Sequence, residues 1–146
     1  LKEQLPGDGE GLQFLEIGAG TGRLTKFMKL AYPKCHITAL DLSDAYLAEA
    51  RESLRGVEGV NFVQGLGEET VFRDRTFDVV YSSFVFHELP LAVRRRVLKE
   101  SLRVLKTSGI LAFVDAIQLN DGTAFEWALK QFPKDFHEPF FMDYLK

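Results

Sequence analysis

Cysteine is nearly absent from this chain. Cys35 stands alone, which excludes an internal disulfide and any multi-cysteine zinc site and points to a reducing, cytoplasmic setting. Long apolar runs are missing too: none could span a bilayer, and Leu1-Lys2-Glu3-Gln4 does not open a signal sequence. Charge of one sign is scarce, since 18 Lys and Arg face 21 Asp and Glu, and a net charge of −3 gives no reason to expect nucleic acid as a partner. Histidine is rare, and His36, His87 and His137 show no ligand spacing that suggests a metal. What remains is an ordinary globular balance, 46% apolar and 27% charged over 146 residues. That suits one domain, 1–146, with one hydrophobic core.

Apolar runs alternate with segments of helical period. Residues 12–17 read as a buried strand closed by glycine. Leu24, Phe27, Met28 and Ala31 form one stripe of a helix, and Pro33 stops it. A second strand is expected at 36–41, and Ser43 can cap the helix after it, with Leu47, Ala50 and Leu54 inward and Gly56 just past its end. A short third strand at 60–64 leads into a polar loop, 65–76, whose length hints at function. The fourth strand is expected at 77–82. Pro90 opens a helix running to about Lys106, with Gly109 placed to end it. The run 110–117 reads as a fifth strand, whose continuous apolar character suits a central position, and Phe125, Ala128, Leu129 and Phe132 return to helical spacing. This alternation implies right-handed crossovers and a parallel sheet covered on both faces. Ligands then bind beyond the carboxyl ends of the strands, so chemistry is expected at 16–22, 41–42, 65–68, 82–88 and 115–118.

The loop Glu16-Ile17-Gly18-Ala19-Gly20-Thr21-Gly22 carries the sharpest signal. Glycines between a strand and a helix let the backbone turn tightly and approach a ligand. A dinucleotide loop has the spacing G-x-G-x-x-G, but here the last position is Arg23 and the glycine stands at 22. Glu16 would repel a pyrophosphate and attract a cation. The ammonium and sulfonium of S-adenosylmethionine fit that acid better than NAD does. Asp41 ends the second strand, twenty-three residues after Gly18, where a carboxylate can hold both hydroxyls of a ribose or cap the next helix.

Together, Glu16 to Gly22, Asp41 and the stretch Gly65 through Val80 resemble the Rossmann-like, class I S-adenosylmethionine-dependent methyltransferases. The pattern is similar to the small-molecule enzymes of ubiquinone and menaquinone biosynthesis, over roughly residues 12–117. The resemblance implies a three-layer α/β fold with a mainly parallel sheet. It implies S-adenosylmethionine as cofactor, S-adenosylhomocysteine as product and a small-molecule methyl acceptor. It assigns Glu16, Gly18 and Gly20 to the methionine part of the cofactor, with Ala19 and Gly22 shaping the loop. Asp41 would hold the ribose, and Leu42 would pack on the adenine. In the family, Gly65-Leu66-Gly67-Glu68 usually reads glycine, aspartate, alanine, glutamate; Leu66 replaces the aspartate that accepts from the adenine amino group. Adenine must then use a backbone carbonyl, water, Glu68 or apolar contact. Ser83 and Phe84 would flank the methionine end, and His87 is the general-base candidate because imidazole titrates near neutrality. The alternative for His87 is a side chain that packs against the cofactor or positions the following helix.

Arg96, Lys99, Arg103 and Lys106 share one helical face, read as solvated. Asp115 points into the cleft or accepts backbone hydrogen bonds. The aromatic tail 132–145 is similar to the segment after the fifth strand in a group of bacterial and plant methyltransferases of unassigned substrate; it either walls a substrate pocket or covers the sheet. The resemblance also implies two further strands and an N-terminal helical segment that are incomplete in 1–146. The chain therefore reads as truncated after the fifth strand and its following helix. The fifth strand would then be an exposed apolar edge, a route to a homodimer. Two other readings remain: a non-catalytic S-adenosylmethionine-binding domain, which Leu66 favours, and a nicotinamide-dependent oxidoreductase, which Glu16 opposes.

Overall fold

The computed structural model describes residues 5, 7–119, 121 and 125–145. Five strands run in chain order: β1 (Gln13–Ile17), β2 (His36–Asp41), β3 (Val60–Gln64), β4 (Phe77–Ser83) and β5 (Leu105–Val114). All pair in parallel, in the order β3-β2-β1-β4-β5. Three helices, α1 (Arg23–Ala31), α2 (Asp44–Ser53) and α3 (Leu91–Val104), connect them. Two more, α4 (Glu126–Asp135) and α5 (Phe141–Tyr144), follow β5. This is the α/β, Rossmann-like architecture that the alternation implies.

Strand alternation sorts the core onto two faces. Leu15, Ile17, Leu40, Val80 and Phe77 pack with Val97 and Val104 of α3. Phe14, Ile37, Val79 and Tyr81 pack with Met28 of α1 and with Tyr32. Each fully buried large apolar side chain contributes roughly 1.5–3 kcal/mol. Glu16 lies among the second set by register, a carboxylate where the pattern otherwise demands a hydrophobe.

α1 ends before Pro33, as expected, and Lys29 finishes it: its Nζ donates to the carbonyls of Pro33 and Cys35, at 2.7 Å each. Phe27 does not join the apolar stripe inward; it stays exposed, while Thr25 and Lys29 are buried. Ser43 caps α2 as expected, accepting from the Tyr46 amide at 3.2 Å.

The junction of α3 and β5 departs from the sequence reading. α3 stops at Val104, and Leu105 turns directly into the extended strand (φ −76°, ψ 136°). Gly109 therefore lies inside β5 rather than ending a helix. A Cβ there would stand 2.9 Å from the Asp78 carbonyl and 2.6 Å from Leu105 Cδ1. The register slips between Phe77 and Val79 at this point, so the glycine marks an irregularity in pairing. Lys106 belongs to the strand and not to the helical face, and its Nζ binds both oxygens of Asp78 at 2.8 Å. β5 ends at Val114 rather than 117, and among the described residues it is an edge strand, not a central one. Pro133 lies within α4, so the helix runs on into the aromatic tail.

Candidate functional site

The strand order reverses at β1: the chain moves outward through β2 and β3, then returns to β4 on the other side. The ends of neighbouring strands part there, and a cavity of about 700 Å³ opens beyond them. It is lined from the ends of β1 (Glu16, Ile17), β2 (Asp41), β3 (Gly65) and β4 (Ser83), so each expected segment but the last contributes.

Of the expected site residues, Glu16, Gly18, Ala19, Gly20, Asp41, Leu42, Leu66, Gly67, Glu68, Ser83 and Phe84 line this cavity. Gly22 stands behind it. At φ 79°, a Cβ on Gly22 would press on Ala50 and Leu54 of α2 at 3.0 and 2.9 Å, so its part is to let α1 pack close. His87 is not among the lining residues either.

The glycine loop is fixed by main-chain bonds: the amides of Gly18 and Ala19 both donate to the Leu40 carbonyl, at 2.8 and 3.0 Å. Gly18 takes φ 72°, and a Cβ there would come within 2.3 Å of Val85 Cγ2. At Gly20 (φ 53°) a Cβ would meet nothing within 4 Å. Asp41 ties two structures together. One oxygen accepts from the Gly20 amide at 2.7 Å and the other from the Ser43 amide at 2.8 Å, which leaves each oxygen able to accept again.

Glu16 is 2% exposed. Its Oε2 accepts from Thr25 Oγ1 at 2.6 Å and from the Tyr81 hydroxyl at 2.9 Å. Burial drives its pKa up to about 7, against the lowering effect of those two hydrogen bonds. Burial likewise pushes the Tyr81 hydroxyl well above its ordinary range, with Glu16 adding to the effect.

Leu42 and Leu66 line the cavity with exposed side chains, 63% and 42% accessible. Glu68 is held by Arg96 at 3.0 Å. Further along the same loop, Arg103 binds Asp74 at 2.6 Å, Glu100 at 2.6 Å and the Phe72 carbonyl at 2.9 Å. The Glu100 carboxylate also accepts from the amide and hydroxyl of Thr70 at 2.7 and 2.6 Å. Hydrogen bonding from Arg103 holds Glu100 down at about 2. The face read as solvated thus anchors the 65–76 loop.

Beyond β4 the chain bends sharply. Phe84 adopts φ 56°, unusual for a side chain of that size, and stays 59% exposed at the cavity wall. A short 3₁₀ turn follows at Phe86–Glu88. Asp115, just past β5, organises it: Oδ2 accepts from the amides of Val85 and Phe86 at 3.1 and 2.7 Å, and Oδ1 from the Ala116 amide at 2.7 Å. Of the two possibilities for Asp115, the structure shows backbone hydrogen bonding. His87 is buried, with Nδ1 2.6 Å from Asp115 Oδ1 and its ring against Phe141 at 5.5 Å. Glu88 does line the cavity, and burial, with Glu138 nearby, raises its pKa.

The tail docks on this turn. Arg94 of α3 is buried, and its guanidinium donates to the carbonyls of Phe86 (2.8 Å), Leu89 (2.7 Å), Phe140 (2.9 Å) and Asp143 (3.3 Å). The tail forms its own small core of Leu129, Phe141 and Leu145, against which Phe132 packs, 4.8 Å from Phe141, while exposed Phe136 stacks on Phe132 at 4.7 Å. None of the residues 132–145 lines the cavity.

Sequence reasoning missed Leu24, Phe27 and Tyr46 as lining residues, because their helical spacing reads equally well as core or surface. It also missed Glu88, which stands next to the histidine it singled out.

Comparison with known proteins agrees with this geometry. Residues 15–113 match the family described as the methyltransferase domain. The demethylmenaquinone methyltransferase of Thermotoga maritima is 35% identical over 106 residues, covering 73% of this chain and 44% of that protein. A glycine/sarcosine/dimethylglycine N-methyltransferase of Actinopolyspora halophila is 36% identical over 106 residues, 70% of this chain and 18% of that one. In three dimensions, the YcgJ protein of Bacillus subtilis superposes with a TM-score of 0.69 at 28% identity, over 86% of this chain and 52% of that chain. The chain thus spans under half the length of these curated relatives. No helix among the described residues is long and apolar enough to cross a membrane.

Proposed function

The chain belongs to the class I S-adenosylmethionine-dependent methyltransferases, and on that premise we propose that its cavity holds S-adenosylmethionine and presents a small, partly apolar acceptor to it. The observation that carries this reading is Glu16: a buried carboxylate lining the cavity, beside a glycine loop and away from any Lys or Arg ion pair among the described residues. Such a group suits a cationic ligand and opposes a pyrophosphate.

The residues fit the cofactor. Gly20 keeps the loop free of side-chain atoms where the cavity wall must admit a ligand, and Glu16 supplies the counter-charge for an ammonium. The two Asp41 oxygens, each already ordered by one amide, accept the ribose hydroxyls. Leu42 and Leu66 flank the adenine by apolar contact, in keeping with the absence of an acid at 66. Bound there, the cofactor supplies an activated methyl group on a sulfonium.

The chain's own contribution is positioning and exclusion of water. Phe84 holds its ring at the cavity wall through a strained backbone, beside Ser83 and Glu88. His87, clamped by Asp115, serves as a positioning residue for that turn. The relatives' names pair one scaffold with different acceptors, so the acceptor is set by the wall around Phe84, Glu88 and Leu89. Family membership favours an enzyme over a domain that merely binds the cofactor.

Calorimetric titration with S-adenosylhomocysteine, beside NAD, tests the reading. Saturable binding of the former alone, weakened at least about tenfold by Asp41→Ala, is expected. Preference for NAD, or equal affinity in the variant, overturns it.

A further inference from the structure

Three donors from two distant parts of the chain converge where the 3₁₀ turn, carrying His87 and Glu88, meets the segment between α4 and α5, carrying Glu138. One atom each from His87, Glu88 and Glu138 lie within 4.8 Å of one another. The imidazole is already oriented. Asp115 accepts three main-chain N–H groups, so it also acts as the acceptor toward His87, which places the ring proton on Nδ1 and the lone pair on Nε2. That Nε2 stands 4.0 Å from Glu88 Oε1, beyond hydrogen-bonding distance. A buried imidazole with one nitrogen on a carboxylate and the other facing free carboxylates is the arrangement in which histidines bind metal.

We propose that His87, Glu88 and Glu138 form a binding site for one divalent transition-metal ion of the zinc or manganese class, with Asp115 orienting the imidazole. The donor set carries the choice: one nitrogen and two anionic oxygens match ions that accept both imidazole and carboxylate, and the two carboxylates balance a dication. Metal–ligand bonds of about 2.1 Å in tetrahedral geometry put donors roughly 3.4 Å apart, so atoms that lie up to 4.8 Å apart must close by up to about 1.4 Å, a shift the two incompletely buried glutamate side chains can make by rotating. Three protein ligands leave at least one position open. Glu88 is shared with the cavity lining, so the ion would stand at the wall beside Phe84 and Leu89. Its role there rests on the methyl-transfer reading: an open position would hold an oxygen of the acceptor and favour hydroxyl, ketone or carboxylate compounds.

Ion binding is tested with the whole chain and without cofactor, so its failure is separate from failure of the cofactor site. Zn²⁺ and Mn²⁺ are each titrated calorimetrically into metal-free protein near pH 7.5, and the Mn²⁺ sample is examined by pulsed electron paramagnetic resonance. One ion per chain with a Kd below about 100 μM is expected, with imidazole nitrogen coupling in the spectrum. Glu138→Gln, checked for fold by circular dichroism, should weaken binding at least about tenfold. No saturable binding up to about 1 mM, unchanged affinity in Glu138→Gln, or no nitrogen coupling overturns the proposal.

Discussion

Nδ1 of His87 lies 2.6 Å from Oδ1 of Asp115, and this pairing joins the end of β5 to the turn after β4. Asp115 also satisfies three amides, so its loss strands several polar groups at once. Asp115→Ala should destabilise the fold by about 2–4 kcal/mol in urea denaturation, whereas Asp115→Asn, which keeps an acceptor oxygen, should cost less. Equal losses in both would show that one neutral acceptor oxygen cannot stand in for the carboxylate.

Glu16 sets a pH dependence whose sign follows from its pKa. Raised from 4.5 to about 7 by burial, the folded state keeps a proton that the unfolded chain releases. Stability is therefore full below about 4.5 and declines as the pH climbs to about 7, by roughly 2–3 kcal/mol. The difference between wild type and Glu16→Gln, measured at pH 5 and pH 8, isolates this contribution.

A cationic ligand should bind the ionised form of the same residue. Affinity for S-adenosylmethionine should be about tenfold weaker at pH 6 than at pH 8, with a proton released on binding near neutrality. Calorimetry in two buffers of different ionisation enthalpy reads that proton directly. A flat profile would mean that Glu16 does not face the ammonium.

Two of the three positive-φ glycines of the loop should fail differently. Gly18→Ala drives a Cβ into Val85, so a loss of about 2–4 kcal/mol is expected, partly restored by adding Val85→Ala. Gly20→Ala meets open space, so it should cost only about 1–2 kcal/mol of backbone strain while still weakening cofactor binding. Thermal melts and ligand titration separate the two effects.

Glu100 behaves oppositely to Glu16. Held near 2 by Arg103, it contributes stability that is present above about 4.5 and lost as the pH falls toward 2. Because Arg103 is partly solvated, about 1–2 kcal/mol is the expected size. Glu100→Gln should remove that portion of the acid limb and loosen the 65–76 loop, seen as faster amide exchange at Thr70.

The legible parts of this molecule are those written locally. The glycine loop, Asp41 and the strands flanking them announce themselves because turn chemistry and strand period act within a few residues. The α3–β5 junction was hidden because Gly109 reads as a helix stop, and only the approach of the Asp78 carbonyl shows why glycine stands inside a strand. Phe27 misled for a related reason: helical spacing places a residue on a face without saying whether that face meets core or cavity. Glu138 could not have been found from spacing, since fifty residues separate it from Glu88 and only the docked tail brings them together.

Arg94 grips the tail by its main chain, since its partners at Phe140 and Asp143 are carbonyl oxygens. A fastening that reads backbone is indifferent to what the fastened residues are. Exposed side chains along that segment, Phe136 and Met142 among them, can therefore drift over evolutionary time without releasing that grip, while buried Phe141 and Leu145 and the Tyr144 ring beneath the guanidinium stay fixed, so a lineage could try new surfaces on an unchanged scaffold.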